Sequence, residues 1–255
     1  MKTILEYIIG KSAKRYIIKA ENSTIKKIVK DEINRLGRSA ELNHIDVSKV
    51  TIMEGLFGCS FGCNFDLTYK DINPDVSGWN VSNVKVMSDM FKNCENFDCD
   101  ISEWNVSNVT NMDSMFRDCT RFNSNISKWE VGSVNTMKYM FCRCKKFYQD
   151  LVDWDVSTVT NMKGMFFGCS IFNGDISKWK TYNVTNMQEM FKFCEEFNQD
   201  ISHWNTLKVE NMTDLFNGCT KFNKDLSKWD VSNVIDHDRI FKDCKIRVEY
   251  KPHFN

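Results

Sequence analysis

The sequence has only two prolines, Pro74 and Pro252, and eleven glycines in 255 residues, far from the composition of a proline- or glycine-rich linker. No apolar run reaches the ~18–20 residues needed to cross a membrane, so no membrane span is expected. Net charge is zero. Residues 1–45 carry ten Lys/Arg against five Asp/Glu, and the remainder carries the compensating excess of acid. That balance leaves no broad basic field, so no nucleic-acid partner is expected. There is no P-loop, dinucleotide fingerprint or nucleophile elbow. The four histidines are not spaced with the cysteines as zinc fingers require. No catalytic residue, cofactor or metal is therefore assigned. The N-terminal stretch has Glu6 inside its short apolar run, which makes a poor secretory signal. A cytoplasmic or virion-associated location is expected, or the cell surface if a leader precedes this sequence.

What the sequence has in abundance is period. Trp79, Trp104, Trp129, Trp154, Trp179, Trp204 and Trp229 are spaced 25 residues apart and are all the tryptophans present. Phe91 through Phe241 and Cys94 through Cys244 keep the same step without insertion. Self-similarity at such a period marks a solenoid, in which each repeat is one coil stacked on the last. At 42% hydrophobic residues the chain can bury an apolar interior.

Seven of the eleven cysteines occupy one phase of the repeat and should form a column. Free cysteine behaves as a small buried hydrophobe, and an odd-numbered column cannot pair completely. Buried thiols in a reducing compartment are expected rather than a disulfide scaffold.

In chain order, Ile25, Ile28, Val29, Ile33 and Leu36 follow helical spacing with lysines opposite. Ser23 or Thr24 can cap its start, and Gly37 suits its end. Residues 1–43 are read as an N-terminal helical cap. Residues 44–60 form a degenerate first coil, with Ile45 where tryptophan belongs. This coil holds nine extra residues, predicting an excursion at about 62–74. In the regular coils, Met112, Met115, Phe116 and Cys119 fall at i, i+3, i+4 and i+7, which predicts a short helix with Thr110 or Asn111 as its cap. The Asp-Ile-Ser-x-Trp segment predicts one short strand per coil, neighbours pairing ~4.8 Å apart in a parallel sheet. The expected fold is α/β: a leucine-rich-repeat-like solenoid of about eight coils over residues 44–244, each with a short strand and a short helix. Residues 245–255 alternate apolar and charged side chains and read as a C-terminal cap, an edge strand blunted by charge.

Three polar columns follow. Asp75, Asp100, Asp150, Asp175, Asp200 and Asp225 share one phase with Asn125. Calcium is one reading. Asx turns are preferred, because asparagine fits a turn and weakens a cation site. Asn83, Asn108, Asn183 and Asn233 read as a second turn ladder. The residue before each tryptophan varies instead: Gly78, then Glu103, Lys128, Asp153, Lys178, His203 and Lys228. In a repeat protein, partner information lies in positions that vary while the frame stays fixed. These last six are the candidate partner face.

The unit F-N-x-D-I-S-x-W-x-V-S-x-V-T-N-M-x-x-M-F-x-x-C resembles the repeat of BspA-like leucine-rich-repeat proteins. Residues 172–194, FNGDISKWKTYNVTNMQEMFKFC, match it except at Thr181 and Tyr182. The likeness covers about 44–244 and implies a solenoid with strands on one side and helices on the other. It also implies surface adhesion or protein binding, and similar arrays occur in phage-encoded and intracellular proteins. The expected function is a non-enzymatic repeat scaffold for protein–protein interaction, with a bacterial surface adhesin or a structural component of a phage assembly as alternatives. Deleting one whole 25-residue unit is expected to leave a folded, shorter protein, which circular dichroism would check; an unfolded chain would contradict the coil reading.

Overall fold

The computed structural model describes residues 16–58 and 70–254. Readings that fall on residues 1–15, on Cys59 and Cys63, and on most of the excursion predicted at 62–74 lie outside the described residues.

The described chain begins with strand β1 (Ile18–Lys19), which pairs in parallel with β2 (Ile45–Asp46), Ile18 opposite Ile45. Between them lies helix α1 (Ile25–Leu36). Its Ile25, Val29 and Ile33 side chains are buried in the common core. The expected side-chain cap is not made: Thr24 Oγ1 takes the N–H of Glu21 at 3.0 Å instead of a helical amide. Gly37 ends the helix at φ 91°, where its N–H reaches the Ile33 carbonyl. Glu32 is the one charged residue on the buried face; it is hydrogen-bonded by Arg35 and lies 2.9 Å from His44 Nε2.

The regular repeats contain no α-helix at Met112–Cys119, contrary to the expectation from spacing. The segment is a run of tight turns. The amides of Met115, Arg117 and Cys119 fold back onto the carbonyls of Met112, Ser114 and Phe116. The amides of Met112, Ser114, Phe116 and Asp118 point the other way. They donate to Thr136, Lys138, Met140 and Cys142 of the next repeat at 2.7–3.2 Å. Ser114 and Asp118 take left-handed conformations, φ 55° and 62°, which an α-helix cannot accommodate. Turns of this length aim i, i+3, i+4 and i+7 inward just as a helix would, so the apolar pattern alone does not separate the two. Bonding to the neighbour wins because that neighbour offers the same carbonyls in register.

The predicted strand is also displaced. Asp-Ile-Ser-x-Trp is curled rather than extended: Asp100 binds the Ser102 amide, and the Trp104 amide closes on Ile101. Parallel pairing falls instead on single bridges linking Ile52, Val86, Asn111, Thr136, Asn161, Asn186, Asn211 and Asp236 in sequence. The first of these steps spans 34 residues and the others 25, which recovers the nine-residue surplus. Asn96 meets Asp71 one period back, and Ile72 is buried in the core, so the frame is restored by residue 71. The surplus therefore lies between Gly58 and Asp71, and 72–74 belong to the stack.

The interior is a set of columns. Phe91, Phe116, Phe141, Phe166, Phe191, Phe216 and Phe241 stack at 5.6–5.8 Å between ring centres. A second phenylalanine column interleaves with them, Phe116 to Phe122 being 4.0 Å. Each indole donates to a main-chain carbonyl of the preceding repeat, Trp154 to Ile126 at 3.0 Å. Cys119, Cys144, Cys169, Cys194 and Cys219 do likewise, each Sγ donating to a phenylalanine carbonyl at 2.9–3.0 Å.

At the C-terminal end the expected edge strand is absent. Residues 248–250 form a 3-10 turn, with Ile246 and Pro252 buried. The Leu226 amide reaches the Tyr250 carbonyl at 2.8 Å, and Phe254 stacks on His237. Charged Arg247 and Glu249 alternate with apolar residues because the segment turns, not because it extends.

Trp154→Ala is expected to cost about 3–5 kcal/mol, and Trp154→Phe about 1 kcal/mol, in urea unfolding. The smaller cost reflects the Ile126 carbonyl, which keeps its bond from the Trp129 amide when the indole is lost. A Trp154→Ala cost near zero would mean that the column does not hold the stack.

Candidate interaction surfaces

Side chains that escape the stack define two surfaces. The first is the column before each tryptophan. Glu103, Lys128, Asp153, Lys178, His203 and Lys228 are all exposed, one per repeat, each beside a buried indole. At five of the six, the Asx turn ending at the preceding residue throws the next side chain outward just before tryptophan turns in; Asp153 follows Val152, where no such turn closes. The column is weakly coupled internally. Lys178 lies 3.9 Å from Asp153, both side chains largely in solvent, where an ion pair contributes little. His203 Nε2 meets the Ser177 carbonyl. Glu103 and Lys128 flank a shallow cleft of about 430 Å³ whose other walls include Asp98, Asp100 and Asn123. Gly78 extends the column without a side chain, its amide bonded to Asn43.

The aspartate column forms the Asx turns expected. Asp75, Asp100, Asp175, Asp200 and Asp225 each accept the amide of the serine two residues on, at 2.8–3.0 Å, and Asn125 does the same. Those serine bonds hold the carboxyls of Asp75, Asp100, Asp200 and Asp225 below their ordinary range. Asp150, with Val152 in the serine phase, differs: its Oδ1 accepts the Asp175 amide of the next repeat. Among the described residues no group of three His, Cys, Asp or Glu side chains is placed to hold a metal. The second asparagine ladder reaches between repeats, Asn108 Nδ2 donating to the Ser82 carbonyl at 2.8 Å. Cys99, Cys119, Cys142, Cys144, Cys169, Cys194, Cys219 and Cys244 are free. Burial pushes the thiols of Cys119, Cys144, Cys169, Cys194 and Cys219 far up, away from the thiolate a nucleophile needs.

The second surface was not foreseen, because a helix at Met112–Cys119 hides it. At the phases of Asp113 and Ser114 and of Arg117 and Asp118 the tight turns leave many side chains partly or fully exposed, among them Asp113, Arg117, Tyr139, Arg143, Phe167 and Phe193, while Ser114, Cys142 and Asp214 are buried. Arg117 and Lys163 lie over the Tyr139 ring at 5.3 and 5.8 Å. The Tyr139 hydroxyl donates to Glu189 two repeats away. Burial, with Glu189 beside it, pushes the Tyr139 hydroxyl up to about 12. Arg143 sits 5.8 Å from the Phe167 ring and binds Asp118 at 3.1 Å. Phe167 meets Phe193 edge-on, and Lys192 lies near both rings.

A glycine lies under two of these rings, Tyr139 and Phe193. A Cβ on Gly164 would fall 2.2 Å from the Tyr139 ring, and one on Gly218 would fall 2.5 Å from Phe193. Each glycine stands one period after the residue it accommodates, and each is left-handed, φ 58° and 78°. Glycine one period after a large side chain, in a phase that elsewhere holds Asp89, Ser114 and Glu189 or Asn93 and Asp118, was the readable sign of this surface.

The same face ends in a buried ion-pair cluster. Asp214, 2% exposed, accepts two bonds from Arg239 at 2.9 Å, one from Lys192 at 2.9 Å and one from Asn217 at 2.7 Å. Arg239 first, then Asn217 and Lys192, hold the Asp214 carboxyl far below the usual carboxylate range despite its burial.

Residues 60–166 and 144–249 each match the family described as "Mycoplasma protein of unknown function, DUF285". The two matches overlap and together span most of the repeats. No curated protein is similar enough in sequence to count as a match.

The Asp214 cluster sets a pH dependence. The folded-state value lies below the ~3.9 of an unfolded aspartate, so the carboxylate stabilises the fold above that pH and the contribution fades below it. Asp214→Asn is expected to lower stability by about 2 kcal/mol at neutral pH. In urea titrations its deficit against the parent protein should shrink as pH falls from about 4 to about 2. A deficit independent of pH would show that the charge contributes nothing.

Proposed function

The chain belongs to the family of Mycoplasma proteins of unknown function, DUF285, and from that premise we propose that it is a non-enzymatic, leucine-rich-repeat-like solenoid that binds a partner protein. In this reading residues 1–43 cap one end, 44–244 are the coils and 245–255 cap the other, and the array is of the BspA-like kind. One observation carries the proposal. Each repeat spends its inward side chains and alternate amides on the next repeat, so only the outward positions are free to differ. The column from Glu103 to Lys228 differs in that way: side chains of either charge and a histidine stand on an unchanging frame. Reactive side-chain types are absorbed by the stack, thiols by carbonyls and carboxylates by Asx turns, which supports a binding role over a catalytic one. The free thiols support a reducing, cytoplasmic or virion-associated setting.

Capture from a lysate of the native host tests this, with the intact protein as bait. The control changes Glu103, Lys128, Asp153, Lys178, His203 and Lys228 to serine, substitutions at exposed positions that leave the frame untouched. A protein retained by the parent and lost by the variant is the expected result. A partner held equally by both would move the binding face elsewhere, and no partner at all would favour an adhesin with its ligand outside the cell.

A further inference from the structure

We propose that the turn face around Tyr139 and Phe167 binds an extended acidic segment of a partner protein. The inference rests on the scaffold reading above and adds a second surface with its own chemistry.

Three successive repeats supply the site. Arg117, Lys138, Arg143 and Lys163 stand on it against the carboxylates Asp113, Asp118 and Glu189, the last bonded by the Tyr139 hydroxyl and paired with Lys192. The chain as a whole is neutral, so this excess of positive charge is local. The internal pairs do not use it up. Lys138 takes Asp113 at 3.0 Å. Arg117 and Arg143 share a single carboxylate, Asp118, at 3.4 and 3.1 Å. Two guanidiniums carry ten N–H donors between them, far more than one carboxylate can engage, and their planar forks suit a second carboxylate. Lys163 makes no ion pair among the described residues and lies against a ring face. Tyr139 and Phe167 give this charge an apolar floor, which lowers the local dielectric and strengthens a carboxylate–guanidinium contact.

The layout selects an extended ligand. The cations run along the stack, one repeat to the next, at a spacing of about 4.8 Å, so the two intervals between three repeats span about 10 Å. An extended chain covers that with about three residues. A polyphosphate chain fits less well. Asp113 and Asp118 interrupt the row and would repel a continuous phosphate backbone. The Tyr139 ring already has Gly164 against it and cations over it, so it offers no open face for a base to stack on.

The probe is a fluorescein-labelled peptide of five Glu-Gly pairs, titrated with full-length protein and read by fluorescence anisotropy. Lys178→Gln with Lys228→Gln removes equal charge from the column beside the tryptophans. Expected is saturable binding that weakens with salt, falls about tenfold in Arg143→Gln/Lys163→Gln, and changes less than about twofold in the control pair. Should the double variant melt early, Lys163→Gln alone, at an unpaired surface lysine, is expected to weaken binding measurably. Equal losses in both variants, or no binding, would overturn the proposal. Tighter binding of a ten-nucleotide uridine RNA than of the peptide would overturn it as well. A peptide that fails to bind while the lysate partner is still lost with the serine variant would sink this inference and leave the scaffold reading standing.

Discussion

The structure depends on one repeated bond: a main-chain amide of one repeat donating to the carbonyl about 24 residues later. Four such bonds, from Met112, Ser114, Phe116 and Asp118, join each regular repeat to its successor. They settle the local conformation. Alternate amides cannot serve both the neighbour and a helix, so the chain folds into turns and accepts left-handed residues at two positions per repeat. A left-handed non-glycine residue costs about 1–2 kcal/mol, and each neutral hydrogen bond returns about 1 kcal/mol net. The bonds alone barely compensate the backbone. What makes the arrangement favourable is that the same turns bury Met112, Met115, Phe116 and Cys119 completely.

That constraint explains the residues at the inward phases. Where repeat meets repeat, carbonyls have a second lone pair facing the core. The Ile126 carbonyl takes both the Trp129 amide and the Trp154 indole; the Phe116 carbonyl takes the Cys119 amide and the Cys144 thiol. Phenylalanine would fill most of the tryptophan site but donate nothing. Serine would donate at the cysteine site yet bring a more strongly hydrated group to be stripped of water. Cysteine combines small apolar bulk with a weak donor. Periodic tryptophan and cysteine are therefore a consequence of stacking, and neither column is available for chemistry.

Much of this was legible in the sequence, and the failures have a common cause. The period, the inward columns, the buried thiols, the Asx turns, helix α1 and the nine-residue surplus all follow from spacing. The helix and strand within each repeat do not, because spacing reports which side chains face inward and not what the backbone amides bond to. Met112, Met115, Phe116 and Cys119 fit a helix as well as they fit two turns, and only the neighbour at one period decides. The candidate column before the tryptophans emerged from comparing repeats and proved to be exposed throughout. The turn face did not emerge, because its outward pairs were assigned to a helix surface. A further ladder was missed for a related reason: Asn123 and Asn198 accept or donate at the phase of Asp98, where the sequence shows only mixed Asp, Asn and Tyr.

The glycines on that face show how such a stack can change its surface. A large side chain at a left-handed position of one repeat must lie across the backbone of the next. Tyr139 does so over Gly164, Arg143 near Gly168, and Phe193 over Gly218, each pair one period apart in the same phase. The large member supplies contact area, and the small member removes the Cβ it would strike. Coupling of this kind is local, because it involves two adjacent repeats and leaves the phenylalanine, tryptophan and cysteine columns unaltered. A ring can thus be added to the surface by a paired change that the core does not register. Placing Tyr139 next to Gly164 and Arg143 next to Gly168 also sets their partners: Arg117 and Lys163 come over the tyrosine, and Arg143 comes beside Phe167. The aromatic and cationic character of this face is in that sense a product of the ladder, which fixes where the next repeat's side chains must stand.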